Sequence, residues 1–116
     1  MALPEDKTNS MQKVFVYGTL LEPAIQLQLF GRIISPLSTA VLKGWTKRTD
    51  KDYPYLIPEV NALTQGCIIE ISAAELTIAD QWEEVPREYL RIKLPVTLPT
   101  GNEINVWVYV CATNRL

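Results

Sequence analysis

Apolar and polar residues alternate with a period of two over two long stretches in the last third of the chain. Leu90, Ile92, Leu94, Val96 and Leu98 are interleaved with Arg91, Lys93, Pro95 and Thr97, and Ile104, Val106, Val108 and Val110 repeat the pattern. Such alternation sends one face of an extended strand to a core. Pro99 to Asn102, with Gly101, is turn chemistry, so an antiparallel hairpin from Leu90 to Val110 is predicted. Pro95 belongs at an edge or a bulge, because it has no N–H for a ladder.

Upstream, Val14-Phe15-Val16-Tyr17 is a β-rich run that stops at Gly18. Pro23 suits the first turn of a helix to about Phe30, with Gly31 as its stop. Residues 38–48 read as extended. The two prolines of Asp52-Tyr53-Pro54-Tyr55-Leu56-Ile57-Pro58 predict a loop over residues 50–58, and a turn is expected near Thr64 to Gly66. Cys67 to Ile71 is a strand. Ser72-Ala-Ala-Glu75 is a capping-box pattern that opens a second helix, which Pro86 prevents from continuing. Residues 1–12 are polar, lack periodicity and read as a disordered tail before a single domain over residues 13–116. This order of elements points to a small curled sheet or barrel with helices outside it.

A chain of 116 residues allows one small domain. With 11 basic and 13 acidic residues the net charge is −2, and no basic run exceeds Lys47-Arg48. That balance argues against nucleic acid as a partner. The longest apolar run, Val106 to Ala112, falls far short of the roughly 20 residues that span a bilayer, and no signal-peptide pattern opens the chain. The expectation is a soluble, cytoplasmic protein. Histidine is absent, which removes imidazole bases, Ser-His-Asp triads and His-containing zinc sites together. Two cysteines, Cys67 and Cys111, are too few for an all-thiolate zinc site and lie in apolar runs where a thiol is packing material. Acid/base chemistry therefore falls to a carboxylate, a tyrosine or a lysine.

One carboxylate breaks its own pattern. With about 100° per residue over Ala73 to Glu84, Leu76, Ile78, Ala79 and Trp82 share the arc that meets the core. Glu83 falls inside that arc, about 20° from Leu76, whereas Glu84 points to the side of Asp80 and Gln81. A carboxylate on an apolar face costs several kcal/mol unless it is paired or functional. On the residues alone two readings stand: Glu83 reaches out to solvent or pairs with Arg87 or Arg91, or it is a desolvated acid/base with a raised pKa.

Val-Phe-Val-Tyr17-Gly18-Thr19-Leu20 resembles the opening motif of the gamma-glutamylcyclotransferase-like family, which includes gamma-glutamylamine cyclotransferases and avirulence-induced-gene-like proteins. Asp80-Gln-Trp-Glu83-Glu-Val-Pro86-Arg-Glu-Tyr89-Leu-Arg91 is similar to its helix-end signature, and Tyr53-Pro54 and Trp107-Val-Tyr109 add weaker matches. The resemblance covers roughly Val14 to Val110. It implies an α+β fold, a small mixed β-barrel with flanking helices. It also implies cleavage of gamma-glutamyl amides by internal attack: the substrate's α-amine adds to its γ-carbonyl, leaving 5-oxoproline and a released amine or amino acid.

Under that resemblance Glu83 is the catalytic acid/base. The loop Tyr17, Gly18, Thr19 and Leu20 binds substrate, with convergent backbone N–H groups from Gly18, Thr19 and Leu20, and Tyr53, Tyr89 and Tyr109 line the pocket. Arg91 either orients Glu83 or Tyr89 or stands in solvent on its alternating strand. No metal and no cofactor is expected, because nucleophile and electrophile share one molecule. The implied partner is a small gamma-glutamyl substrate, with no nucleic acid, no membrane and a monomeric state. The alternative is a non-catalytic module on the same fold that binds a small carboxylate. Three departures from the family pattern stand out: Leu21-Glu22-Pro23 in place of basic and glycine residues, Cys67 after Gly66, and Glu84 where a small residue is usual.

Overall fold

The computed structural model describes residues 10–112. Five strands are present among them: β1 (Met11–Val16), β2 (Ser38–Arg48), β3 (Tyr55–Ser72), β4 (Tyr89–Thr97) and β5 (Glu103–Cys111). Two helices, α1 (Pro23–Phe30) and α2 (Ala73–Trp82), flank them, and Thr19–Leu21 forms a single 3-10 turn. The strands close into a barrel in the order β1-β3-β2-β4-β5, antiparallel except where β1 runs parallel to β5. Two joints are short. Val41 and Thr97 are the only register pair between β2 and β4, and β1 meets β5 through Val14–Trp107 and Phe15–Val108.

Both faces of β1 are covered, which is why Val14 to Tyr17 reads as an unbroken apolar run rather than an alternating one. Phe15 and Tyr17 enter the barrel with Leu42, Leu56, Ile68, Val96, Val106, Val108 and Val110. Val14 and Val16 face outward and pack with Ile69, Ile71, Tyr89 and Tyr109 beneath Leu20, Leu76 and Ala79 of the helical layer. The same alternation splits β4: Leu90, Ile92, Leu94 and Val96 go to the barrel, and Tyr89 goes to the helical side.

The β4–β5 hairpin forms as predicted, with nine consecutive register pairs from Tyr89–Cys111 to Thr97–Glu103. Gly101, at φ 95°, donates to the Leu98 carbonyl in its turn. Pro95 pairs with Asn105 on one side and has no register partner in β2 on the other, a position where a missing N–H is tolerated. Helix α1 spans Pro23–Phe30 and ends on Gly31 at φ 72°, and the Ser72 capping box of α2 closes in both directions with Glu75.

Three expectations need correction. Strand β1 begins at Met11, so Gln12 and Met11 belong to the sheet opposite Ile71 and Ser72 rather than to a tail; residues 1–9 lie outside the described residues. The predicted loop over 50–58 ends at Pro54, because Tyr55 to Pro58 pair with Arg48 to Trp45. Pro58 is the last pair before a register break at which Glu59 to Ala62 stand against Gly44 alone, and strands accept proline at such bulges. The turn near Thr64 to Gly66 is absent: β3 runs through it, and Gly66 is required by close approach. A Cβ there would lie 2.5 Å from the Val16 carbonyl oxygen.

Candidate active site

The cleft begins where β1 stops pairing. After Val16 the chain leaves the sheet, and the 3-10 turn closes with Leu21 donating to the Gly18 carbonyl and Glu22 to that of Thr19. The N–H groups of Gly18, Thr19 and Leu20 then have no backbone acceptor among the described residues. Gly18 has an ordinary extended φ of −148°. Its need for glycine is steric, because a Cβ would lie 2.6 Å from Pro54 Cγ. Two side chains hold this segment. Gln26, buried in α1, donates to the Leu20 carbonyl at 2.8 Å and accepts from the Ile34 N–H at 2.8 Å. Lys47 donates to the Tyr17 carbonyl at 3.2 Å.

Glu83 is positioned by the way α2 ends. Its own N–H still donates to Ala79, the Glu84 N–H to Gln81 and the Val85 N–H to Asp80. That pair of closing bonds is a Schellman motif, with Glu84 in the left-handed conformation at φ 58°. The motif turns the chain away and leaves the Glu83 side chain directed at the cleft, while Glu84 points to solvent and pairs with Arg87 at 2.6 Å. The helical-wheel separation of the two glutamates therefore holds, although Glu84 lies beyond the helix. Leu76 and Ala79 are buried as expected and Trp82 is half-buried; Ile78 is exposed, because no element covers that flank of a short helix.

Tyr17, Gly18, Thr19, Leu20, Glu83, Tyr89 and Tyr109 line one cleft, together with Phe15, Val16 and Pro54; it encloses about 280 Å³ of empty space including its open mouth. Tyr53 is not part of it. Its ring packs on that of Tyr89, 5.9 Å between centroids, and its hydroxyl reaches Glu88. Pro54, the next residue, takes the place expected of Tyr53.

Neither arginine pairs with Glu83. Arg87 is taken by Glu84, and Arg91 forms a two-pronged bond with Asp80, at 2.7 and 2.9 Å. Among the described residues nothing donates to the Glu83 carboxylate. Burial, and secondarily the Asp80 charge, push its pKa up to about 8. The three cleft tyrosines have committed their hydroxyl hydrogens: Tyr17 to the Tyr109 carbonyl at 2.6 Å, Tyr89 to the Pro54 carbonyl at 2.7 Å, and Tyr109 to Asp80 at 2.7 Å. Burial raises the pKa of all three, so they stay neutral at ordinary pH. The side chains thus offer the cleft oxygen lone pairs and one carboxylate, and the backbone of Gly18 to Leu20 offers hydrogen-bond donors. No three His, Cys, Asp or Glu side chains converge as a cation site among the described residues.

Residues 14–116 match the family described as gamma-glutamyl cyclotransferase, AIG2-like. The chain belongs to this family. AIG2-like protein C of Arabidopsis thaliana is 34% identical over 101 residues, which take in 84% of this chain and 57% of that protein. A solution structure of an Arabidopsis thaliana protein superposes with a TM-score of 0.76 at 28% identity, over 90% of this chain and 64% of that one. The chain thus spans rather more than half the length of these relatives. A solved gamma-glutamyl cyclotransferase shares the fold, with a TM-score of 0.76 at 16% identity over 88% of this chain and 67% of the other. In this member of the AIG2-like family, Asp80, Gln26 and Lys47 hold residues that line the cleft, a placement the sequence does not single out, and Pro54 lines the cleft itself. Two of these stand within motifs read from the sequence, Asp80 in the helix-end signature and Pro54 in the Tyr53-Pro54 match.

Proposed function

We propose that this protein is a gamma-glutamyl cyclotransferase that releases 5-oxoproline from a small gamma-glutamyl amide, with Glu83 as its acid/base. The observation that carries the reading is a desolvated carboxylate that has no counter-ion among the described residues and shares a cleft with three backbone N–H groups that have no backbone acceptor among them. A carboxyl with a pKa near 8 accepts and returns a proton efficiently close to neutral pH. Glu83 takes a proton from the substrate's α-ammonium as the nitrogen adds to the γ-carbonyl. The new C–N bond closes a five-membered ring, and the oxyanion is met by N–H donors of Gly18 to Leu20. Glu83 returns that proton to the departing nitrogen and passes on the second one shed by the ring nitrogen, the old amide bond breaks, and 5-oxoproline and an amine or amino acid in its ammonium form leave.

The lone pairs of Tyr17, Tyr89 and Tyr109 suit the ammonium end of such a substrate, and the backbone donors of Gly18 to Leu20 suit its carboxylate, since no Lys or Arg is among the described residues that line the cleft. Holding the folded-back conformer is the larger part of the task, worth up to about 7–11 kcal/mol in favourable intramolecular reactions. The test is 5-oxoproline release over a panel of gamma-glutamyl amides and gamma-glutamyl amino acids. Turnover of at least one member, lost in Glu83→Gln, is the expected result. Binding of 5-oxoproline without turnover of any member would instead make this a small-carboxylate-binding module.

A further inference from the structure

Asp80 has no step in that reaction, yet two side chains converge on it. Arg91 and Tyr109 face each other in the β4–β5 ladder, so they leave the sheet side by side toward α2. Both end on Asp80: Arg91 Nε reaches Oδ1 at 2.7 Å, Nη2 reaches Oδ2 at 2.9 Å, and the Tyr109 hydroxyl donates to Oδ1 at 2.7 Å. The guanidinium also lies over the Trp107 ring, 4.1 Å from its centroid, and the Trp107 indole N–H is fixed by Gln12 at 3.0 Å. Glu83 follows Asp80 by three residues, the spacing of neighbouring side chains on a helix, and has no counter-ion among the described residues.

We propose that Asp80 is a positioning residue: it holds Arg91 away from Glu83 and takes the Tyr109 hydroxyl hydrogen, so that the cleft keeps a free carboxylate and a Tyr109 lone pair. The role rests on the reading of Glu83 as the acid/base. A half-buried guanidinium that loses one carboxylate turns to the next, because an unpaired charge in such a place is strongly disfavoured. An ion pair with Arg91 would hold Glu83 ionised and make it a poor base near neutral pH. Asp80 prevents this by occupying both prongs of the guanidinium. The groups around Glu83 are Asp80 from α2, Tyr17 from the end of β1, Tyr89 from β4 and Tyr109 from β5. The tyrosines are neutral, and the charged groups nearby are Asp80, Arg91 paired with it, and Lys47, whose ammonium donates to the Tyr17 carbonyl at 3.2 Å.

The experiment is a carbon-13 NMR titration of the Glu83 carboxyl, assigned with Glu83→Gln, in the wild type, Asp80→Asn, Arg91→Met and the double variant. Asp80→Asn is expected to lower the Glu83 midpoint by ~1 pH unit or more. Arg91→Met is expected to raise it, and the double variant to bring it back toward the wild-type value. The acid limb of kcat/KM should move in the same order. Loss of the Asp80 charge alone would also lower the midpoint of Asp80→Asn, but it would leave the double variant low. An unmoved midpoint in Asp80→Asn, or a double variant that stays low, overturns the proposal. If Asp80→Asn does not fold, Arg91→Met decides alone, and a midpoint that fails to rise overturns it. The titration needs no turnover, so a protein with the expected midpoints and no 5-oxoproline release would count against the reaction and for the placement of Arg91. Turnover through Glu83 with unmoved midpoints would do the reverse.

Discussion

Gly18 and Pro54 approach so closely that a Cβ on Gly18 would lie 2.6 Å from Pro54 Cγ. Gly18 lies just beyond the end of β1 and Pro54 is the last residue of the β2–β3 connection, and both line the cleft. Gly18→Ala must push the loop or the proline aside, with an overpacking cost of ~1–3 kcal/mol. Thermal melts should show that loss, and 5-oxoproline release should fall at least ~10-fold as the N–H donors shift. Adding Pro54→Ala removes the clashing ring and should restore part of both. A double variant no better than Gly18→Ala would show that the contact does not shape the site.

The two adjacent glutamates should separate cleanly. Glu83→Gln keeps the size of the side chain and cannot cycle a proton, so turnover should fall by roughly 10²–10⁴-fold with the fold intact. Glu84→Gln weakens only an exposed pair with Arg87 and should cost little in rate or stability. The stability of Glu83→Gln relative to wild type should also depend on pH. The folded pKa of Glu83 lies above its unfolded value, so its favourable contribution is complete below about pH 4.5 and is lost as pH rises through about 8. The variant should therefore gain on the wild type across that window, by on the order of 1–3 kcal/mol at its upper end. Chemical denaturation at pH 5 and pH 8.5 measures it.

Much of this site is legible along the chain because its parts are local. Tyr17-Gly18-Thr19-Leu20 is a strand end followed by a turn, and Glu83 stands out because its helical position contradicts its polarity. The hairpin from Leu90 to Val110 reads directly because one face of each strand enters the barrel. Strand β3 was harder, since Pro54 and Pro58 signal a loop and only pairing with β2 reveals that residues 55–58 are extended. Tyr53 and Pro54 illustrate the same limit: neighbours on one loop are equally plausible in sequence, and tertiary packing sends the tyrosine onto the Tyr89 ring and the proline against Gly18. Asp80 reads as a solvated helix residue until the β4–β5 ladder brings Arg91 and Tyr109 onto it.

Activity should follow the ionisation of Glu83. In the proposed reaction the carboxylate is the form that takes the ammonium proton, so kcat/KM should rise with pH toward a limb near 8. An ordinary solvated glutamate would give a limb near 4.5 and a flat profile at neutral pH. A flat profile between pH 6 and 8 would count against Glu83 as the proton acceptor.

Glu84 occupies the one position of the Schellman motif that favours glycine. At φ 58° a residue with a Cβ is strained by roughly 1 kcal/mol or more, and glycine is not. Glu84→Gly should therefore raise the melting temperature despite the loss of the exposed Arg87 pair. Glu84→Ala, which keeps a Cβ, should not. Equal melts for the two would show that the left-handed turn is not what limits stability there.

Gln26 joins the candidate site to the helical layer without touching a substrate. Its amide bridges the Leu20 carbonyl and the Ile34 N–H, both at 2.8 Å, and the side chain is buried in an otherwise apolar layer. Gln26→Leu preserves volume and removes both partners' hydrogen bonds. Each backbone group left unpaired in the interior costs about 1–3 kcal/mol, so the loss should exceed that of an ordinary polar-to-apolar exchange on a helix. Leu20 is the last residue of the donor arc, and freeing its carbonyl lets the 3-10 turn shift. The expected pattern is a destabilisation of ~2–4 kcal/mol by urea titration, a raised KM for the gamma-glutamyl substrate, and a smaller change in kcat. Gln26→Glu separates the two bonds, because a carboxylate still accepts from Ile34 N–H but cannot donate to Leu20. If its KM matches the wild type while Gln26→Leu does not, the bond to Ile34 carries the effect and the tether to Leu20 carries none.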